Sequence, residues 1–107
     1  MTEHVSFKRA DAAVQFVKEN ADKYGVLVGA VKGLEHQRKV VRAMQVLKSE
    51  KKTVADREAD AESSADYKAI VKEIEDTWAE KTTLETLMKA AEMTFDLYRS
   101  SNKWGGP

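Results

Sequence analysis

From Tyr67 to Tyr98 apolar side chains recur in alternating steps of three and four residues. Positions 67, 70, 74, 77, 81, 84, 88, 91, 95 and 98 carry Tyr, Ile, Ile, Thr, Lys, Leu, Met, Ala, Phe and Tyr, so eight of the ten are apolar or aromatic. That spacing predicts a helix whose stripe is a coiled-coil-like seam. Val71, Trp78 and Leu87 widen the stripe, while Thr77 and Lys81 interrupt it where packing is weakest. Ser63, Ser64 and Asp66 precede the run and suit a helix N-cap. Nothing stops the helix before Ser100–Asn102, so it is expected over about residues 65–101, followed by a short tail.

The first half has the same period. Val14, Val17, Ala21, Tyr24, Val28, Val31, Leu34, Val41, Met44, Leu47 and Val54 follow one another with no phase change. The stretch Tyr-Gly-Val-Leu-Val-Gly-Ala-Val-Lys-Gly, residues 24–33, holds three of the five glycines, Gly25, Gly29 and Gly33. A turn would reset the phase, and no Pro, Asn or Ser joins these glycines. The reading is one long helix over about residues 7–60, with the glycines marking the place where it would bend or break. Ser6 suits its N-cap. Three interior glycines cost a helix about 2–3 kcal/mol relative to alanine. A close helix contact along their shared stripe would offset that cost; a kink without a partner is the plainer alternative.

The fold expected is therefore all-α, a single domain over residues 1–107. It is a long antiparallel hairpin turning at about residues 61–65. One seam between two helices leaves apolar surface uncovered, and a lone hairpin buries little. Assembly as an oligomer is expected, through Gly25, Gly29 and Gly33 and through Phe95, Tyr98 and Trp104. Trp104 would dock into a neighbouring subunit or stack on an exposed base.

Composition supports helices: hydrophobic residues make up 42% and charged residues 34%, with one proline, at the end. With no cysteine, disulfides and thiolate metal sites are excluded. No apolar stretch reaches the about 20 residues of a bilayer span, and the first residues lack the apolar run of a signal peptide. A soluble, cytoplasmic protein without membrane contact is expected.

The formal charge is zero but unevenly spread, at +5 over residues 1–52 and −5 over 53–107. This suits two helices that attract each other, and it equally suits a nucleic-acid face. The sharper feature is Gln37–Arg57. Here Arg38, Lys39, Arg42, Lys48, Lys51, Lys52 and Arg57 stand against Glu50 and Asp56. As one helix this would form a basic strip, suited to neutralising phosphates without reading sequence. The plainer alternative is a solvated face that pairs with the acidic second helix. No nucleophile elbow, phosphate-binding loop or dinucleotide fingerprint occurs. The two histidines, His4 and His36, each follow a glutamate and make no ready metal site. No enzyme activity, cofactor or metal is expected.

Several blocks resemble a group of small helical phage proteins encoded among replication and recombination genes. They are Leu34-Glu35-His36 with Arg38-Lys39, Ser49 to Ala59 (Ser-Glu-Lys-Lys-Thr-Val-Ala-Asp-Arg-Glu-Ala), Asp66-Tyr67-Lys68, Lys89 to Met93 (Lys-Ala-Ala-Glu-Met) and Tyr98-Arg99-Ser100. The resemblance covers about residues 8–102. The wider pattern is distantly similar to the UvsY-type recombination mediators of T-even phages, small helical ring-forming proteins that bind single-stranded DNA and help load a recombinase. The resemblance implies DNA contacts among Arg38, Lys39, Arg42, Lys48, Lys51 and Lys52. It also implies assembly through the second helix and tail, and a recombinase or other phage replication protein as partner. The alternative from a different class is a protein-interaction module, an adaptor or inhibitor of a phage or host protein, without nucleic-acid binding.

Overall fold

A computed structural model describes residues 5–105, with side chains for residues 5–101. Three helices follow in order: α1 Phe7–Lys48, α2 Val54–Glu62 and α3 Ala65–Gly105. The long α1 packs against α3 as a hairpin. No described helix is long and apolar enough to cross a membrane. Backbone contacts divide the chain into two compact units, Leu27–Glu80 and the pairing of Met1–Val26 with Lys81–Pro107.

All ten seam positions of α3 are buried or half-buried, including Thr77 and Lys81. The helix starts where the sequence predicts. The Ser64 hydroxyl accepts from the Tyr67 amide at 3.2 Å and donates to the Ala61 carbonyl at 2.6 Å, so one side chain serves both sides of the turn. Ser6 likewise caps α1, accepting from the Arg9 amide at 3.2 Å.

The first helix agrees with expectation in one respect and departs from it in two. It runs through Gly25, Gly29 and Gly33 as one helix, as the unbroken apolar phase predicts, and none of the three has a positive φ. It ends at Lys48, not near residue 60, and residues 49–53 form a connector into the separate helix α2. Its inward stripe also differs from a stripe drawn by apolarity alone. Positions 13, 17, 20, 24, 27, 31, 34, 38, 41 and 45 are buried or half-buried, whereas Ala21, Met44, Leu47 and Val54 are exposed. Asn20, Arg38 and Gln45 occupy core-facing positions because the 4–3 register against α3 fixes the seam, whatever residue lands on it. A search for apolar residues slides from this seam onto a second one after Val41.

In the unit of Met1–Val26 with Lys81–Pro107, Val5, Ala10, Ala13 and Leu84 are buried. Phe7 meets Tyr98 edge-to-face at 6.0 Å, and the Arg99 guanidinium lies 5.8 Å from the Phe95 ring. Phe95 also lines a groove of about 410 Å³ with Ala13, Val14, Val17 and Ala91. Phe95 and Tyr98, expected at a subunit interface, are thus half-buried within the chain. The side chain of Trp104 lies outside the described residues. In Leu27–Glu80 the buried residues are Leu27, Val31, Ala61 and Ile70.

Candidate nucleic-acid interface

The basic residues of Gln37–Arg57 all fall in the unit Leu27–Glu80, but they do not form one helical strip. Arg38 and Arg42 keep their i, i+4 relation on α1. Lys48 is the last residue of α1, while Lys51 and Lys52 lie in the connector and Arg57 lies on α2. Lys48 and Lys52, which a single helix would place at i and i+4 on the strip, are not so related, because the helix stops between them.

The connector is held by its own side chains. Thr53 is the N-cap of α2 and accepts from the Asp56 amide at 3.1 Å. Thr53-Val54-Ala55-Asp56 carries the spacing of a capping box, with the acid in the first turn of the helix. The Ser49 hydroxyl accepts from the Lys51 amide at 3.2 Å and donates to Asp60 at 2.8 Å. Arg57 Nε donates to the Lys51 carbonyl at 2.7 Å.

The acids of α2 then face the end of α1. Arg42 Nε donates to Glu62 at 3.1 Å, and its guanidinium stands 3.6 Å from Glu58. The hydrogen bond to Glu62, with the charges of Glu58 and Glu62, pushes the Arg42 pKa up against partial desolvation, so it stays a cation. Gln45 donates to Asp66 at 3.2 Å. Arg38 is half-buried beside a shallow groove with Glu35, Val71, Ile74 and Glu75.

The seven candidate cations therefore separate into two groups. Arg38, Arg42 and Arg57 have structural surroundings: a core-facing position, an ion pair and a bond to the connector. Lys39, Lys48, Lys51 and Lys52 are exposed and make no ion pair among the described residues. Lys51 adjoins a recess with Asp56, Ala59, Asp60 and Ser63. A flexible ammonium on an exposed lysine can meet a phosphate as a point charge, whereas a fixed guanidinium in an ion pair must first leave its carboxylates.

A second polar cluster escaped the sequence reading. Tyr24 donates to Glu85 at 3.3 Å, and Lys81 and Lys89 reach the same carboxylate at 3.5 and 3.4 Å. Its signal was Lys81 in the apolar stripe with an acid four residues on. The hydrogen bond from Lys89, then the charge of Lys81 and its hydrogen bond, hold the Glu85 carboxyl below its ordinary range against partial desolvation. No group of three His, Asp or Glu that would hold a metal ion occurs among the described residues.

The glycines face open space: a Cβ built on Gly25, Gly29 or Gly33 meets nothing within 4 Å. Within one chain they allow no close approach. The chain matches no protein-family model, no curated protein and no solved structure.

Proposed function

We propose that the chain is a non-enzymatic accessory protein of phage-type recombination or replication, which self-assembles and binds the backbone of single-stranded DNA without reading its sequence. The observation that carries this reading is the group of exposed lysines at the end of α1 and in the connector, Lys48, Lys51 and Lys52, with no ion pair among the described residues. Lys39 is exposed on α1. Such lysines add affinity by releasing counterions, so binding is weak per chain and grows when several chains act together. The block Ser49 to Ala59, which resembles small phage proteins encoded among replication and recombination genes, includes Lys51 and Lys52. A recombinase or other replication protein is the partner this reading implies, in the host cell cytoplasm.

A second reading is a protein-interaction module with no nucleic-acid binding. It is favoured by the engagement of Arg42 with Glu58 and Glu62, which occupies one of the guanidinium groups that a phosphate would otherwise meet. Fluorescence anisotropy of a labelled single-strand oligonucleotide separates the two. Under the first reading binding occurs at low salt and falls steeply as salt rises. In Lys48→Ala/Lys51→Ala/Lys52→Ala the slope of log affinity against log salt flattens by about two units, from roughly 0.7 per single-strand contact. Absence of binding at low salt, or a triple variant that binds as the parent does, leaves the interaction module.

A further inference from the structure

Helix α1 carries a second seam, which the described chain leaves exposed from Gly33 to Leu47. Within Leu27–Glu80, positions 30, 33, 37, 40, 44 and 47 run in the same steps of three and four as the core seam and carry Ala, Gly, Gln, Val, Met and Leu. Gly29, His36 and Ala43 flank them. The large members are open to solvent: Val40 is 46% exposed, Met44 52% and Leu47 85%. From Gly29 to Leu47 this face holds no Asp, Glu, Lys or Arg. The charges of that stretch, Lys32, Glu35, Arg38, Lys39 and Arg42, all lie at other positions of the heptad.

We infer that this charge-free second seam of α1 is the contact with a second copy of the same chain. A two-fold axis lays a patch on a copy of itself, so a charge close to the axis would be brought toward its own sign. Like charges so placed cost several kcal/mol. A surface from which all formal charge is missing, in a chain where about a third of residues are charged, is the kind such an axis tolerates. The 4–3 spacing is that of knobs that enter holes on another helix. The glycines fit the same account. Gly29 and Gly33 have open space where a Cβ would stand, so the lone chain gains nothing from their cost in helix propensity, and a facing backbone would. A comparable uncharged face on α3, positions 83, 87, 90, 94, 97 and 101, carries Thr, Leu, Ala, Thr, Leu and Ser. Hydroxyls fill half of it, which makes it the weaker apolar seam.

This inference deepens the self-assembly half of the proposed function and is tested without DNA. Sedimentation equilibrium of the full chain, in DNA-free buffer, should give about twice the 12.0 kDa chain mass, or an even multiple of it. Val40→Glu/Met44→Glu should raise the dissociation constant by at least about 100-fold, the size of a few kcal/mol of like-charge repulsion. Both side chains are half exposed, so far-ultraviolet circular dichroism should remain helical. Leu87→Glu/Leu97→Glu on α3 should leave the mass of the dimer unchanged. A parent that sediments as a monomer overturns the inference, as does a Val40→Glu/Met44→Glu variant of parental mass. Dissociation by the α3 variant alone overturns it too and assigns the contact to α3. Oligonucleotide binding by the lysines is read separately, so either proposal can fail while the other stands.

Discussion

Glu85 receives hydrogen bonds or charge from Tyr24, Lys81 and Lys89, and its carboxyl is held below the ordinary value. A carboxyl lowered in the folded state stabilises the fold above its unfolded value of about 4.5, and that contribution is lost as pH falls through the lower folded value. Glu85→Gln should therefore melt below the parent at neutral pH, with the gap closing below pH ~4. Thermal melts followed by circular dichroism at both pH values check this, and a gap independent of pH would refute it. Three residues away, the Thr82 hydroxyl oxygen is buried with no hydrogen-bond partner among the described residues. Thr82→Val keeps the shape and removes the orphaned oxygen, so it should raise stability by about 1 kcal/mol in urea unfolding. Gly29 has no neighbour where a Cβ would stand. In the Val40→Glu/Met44→Glu background, which the proposed contact would leave monomeric, Gly29→Ala should add roughly 0.5–1 kcal/mol through helix propensity. A loss there would mean that the glycine has a role inside the single chain.

The elements were legible in the sequence to different degrees, for physical reasons. The ten positions of the α3 seam were readable, because they keep one phase and Ser64 caps the start, but Trp78 and Leu87, expected to widen the stripe, are exposed. The α1 seam was readable in part as far as Val41, with Ala21 exposed and the polar Asn20 and Arg38 missed. Beyond it a second apolar stripe competes, and periodicity cannot tell a stripe that faces α3 from one that faces outward. The end of α1 was missed because no glycine or proline marks it. What stops the helix is side-chain chemistry: Ser49 bonded to Asp60, and Thr53 beginning a new helix. The Thr53-x-x-Asp56 spacing was present and signals a helix start. Of the basic strip, the residues were legible but not their state, since the pairing of Arg42 with α2 depends on the chain folding back. Thr53→Ala should cost about 1 kcal/mol, the usual worth of an N-cap. Amide exchange should then speed up across Val54–Glu62 while α3 keeps its protection; uniform exchange in the variant and parent would show that the cap does not hold α2.

At the scale of the whole molecule, the two proposals meet in one dependence. Three lysines around the end of α1 are a small cationic footprint for a single chain. Two copies joined through α1 bring two such clusters to one strand, and the second engagement becomes intramolecular. Affinity should therefore depend on residues that touch no DNA. Val40→Glu/Met44→Glu leaves Lys39, Lys48, Lys51 and Lys52 intact, so a DNA site formed within one chain would bind a short oligonucleotide, sized for one cluster, nearly as before. A longer oligonucleotide that spans two clusters should lose about 100-fold or more, the range that linkage of two sites provides. Anisotropy titrations with the short and the long strand, at one fixed salt concentration, give the ratio directly. Part of any loss arises from the two added carboxylates repelling phosphate, and that part affects both strands alike. A selective loss on the long strand would tie binding to assembly. An equal, small change on both would place all the affinity in the single chain, and assembly would then serve another partner.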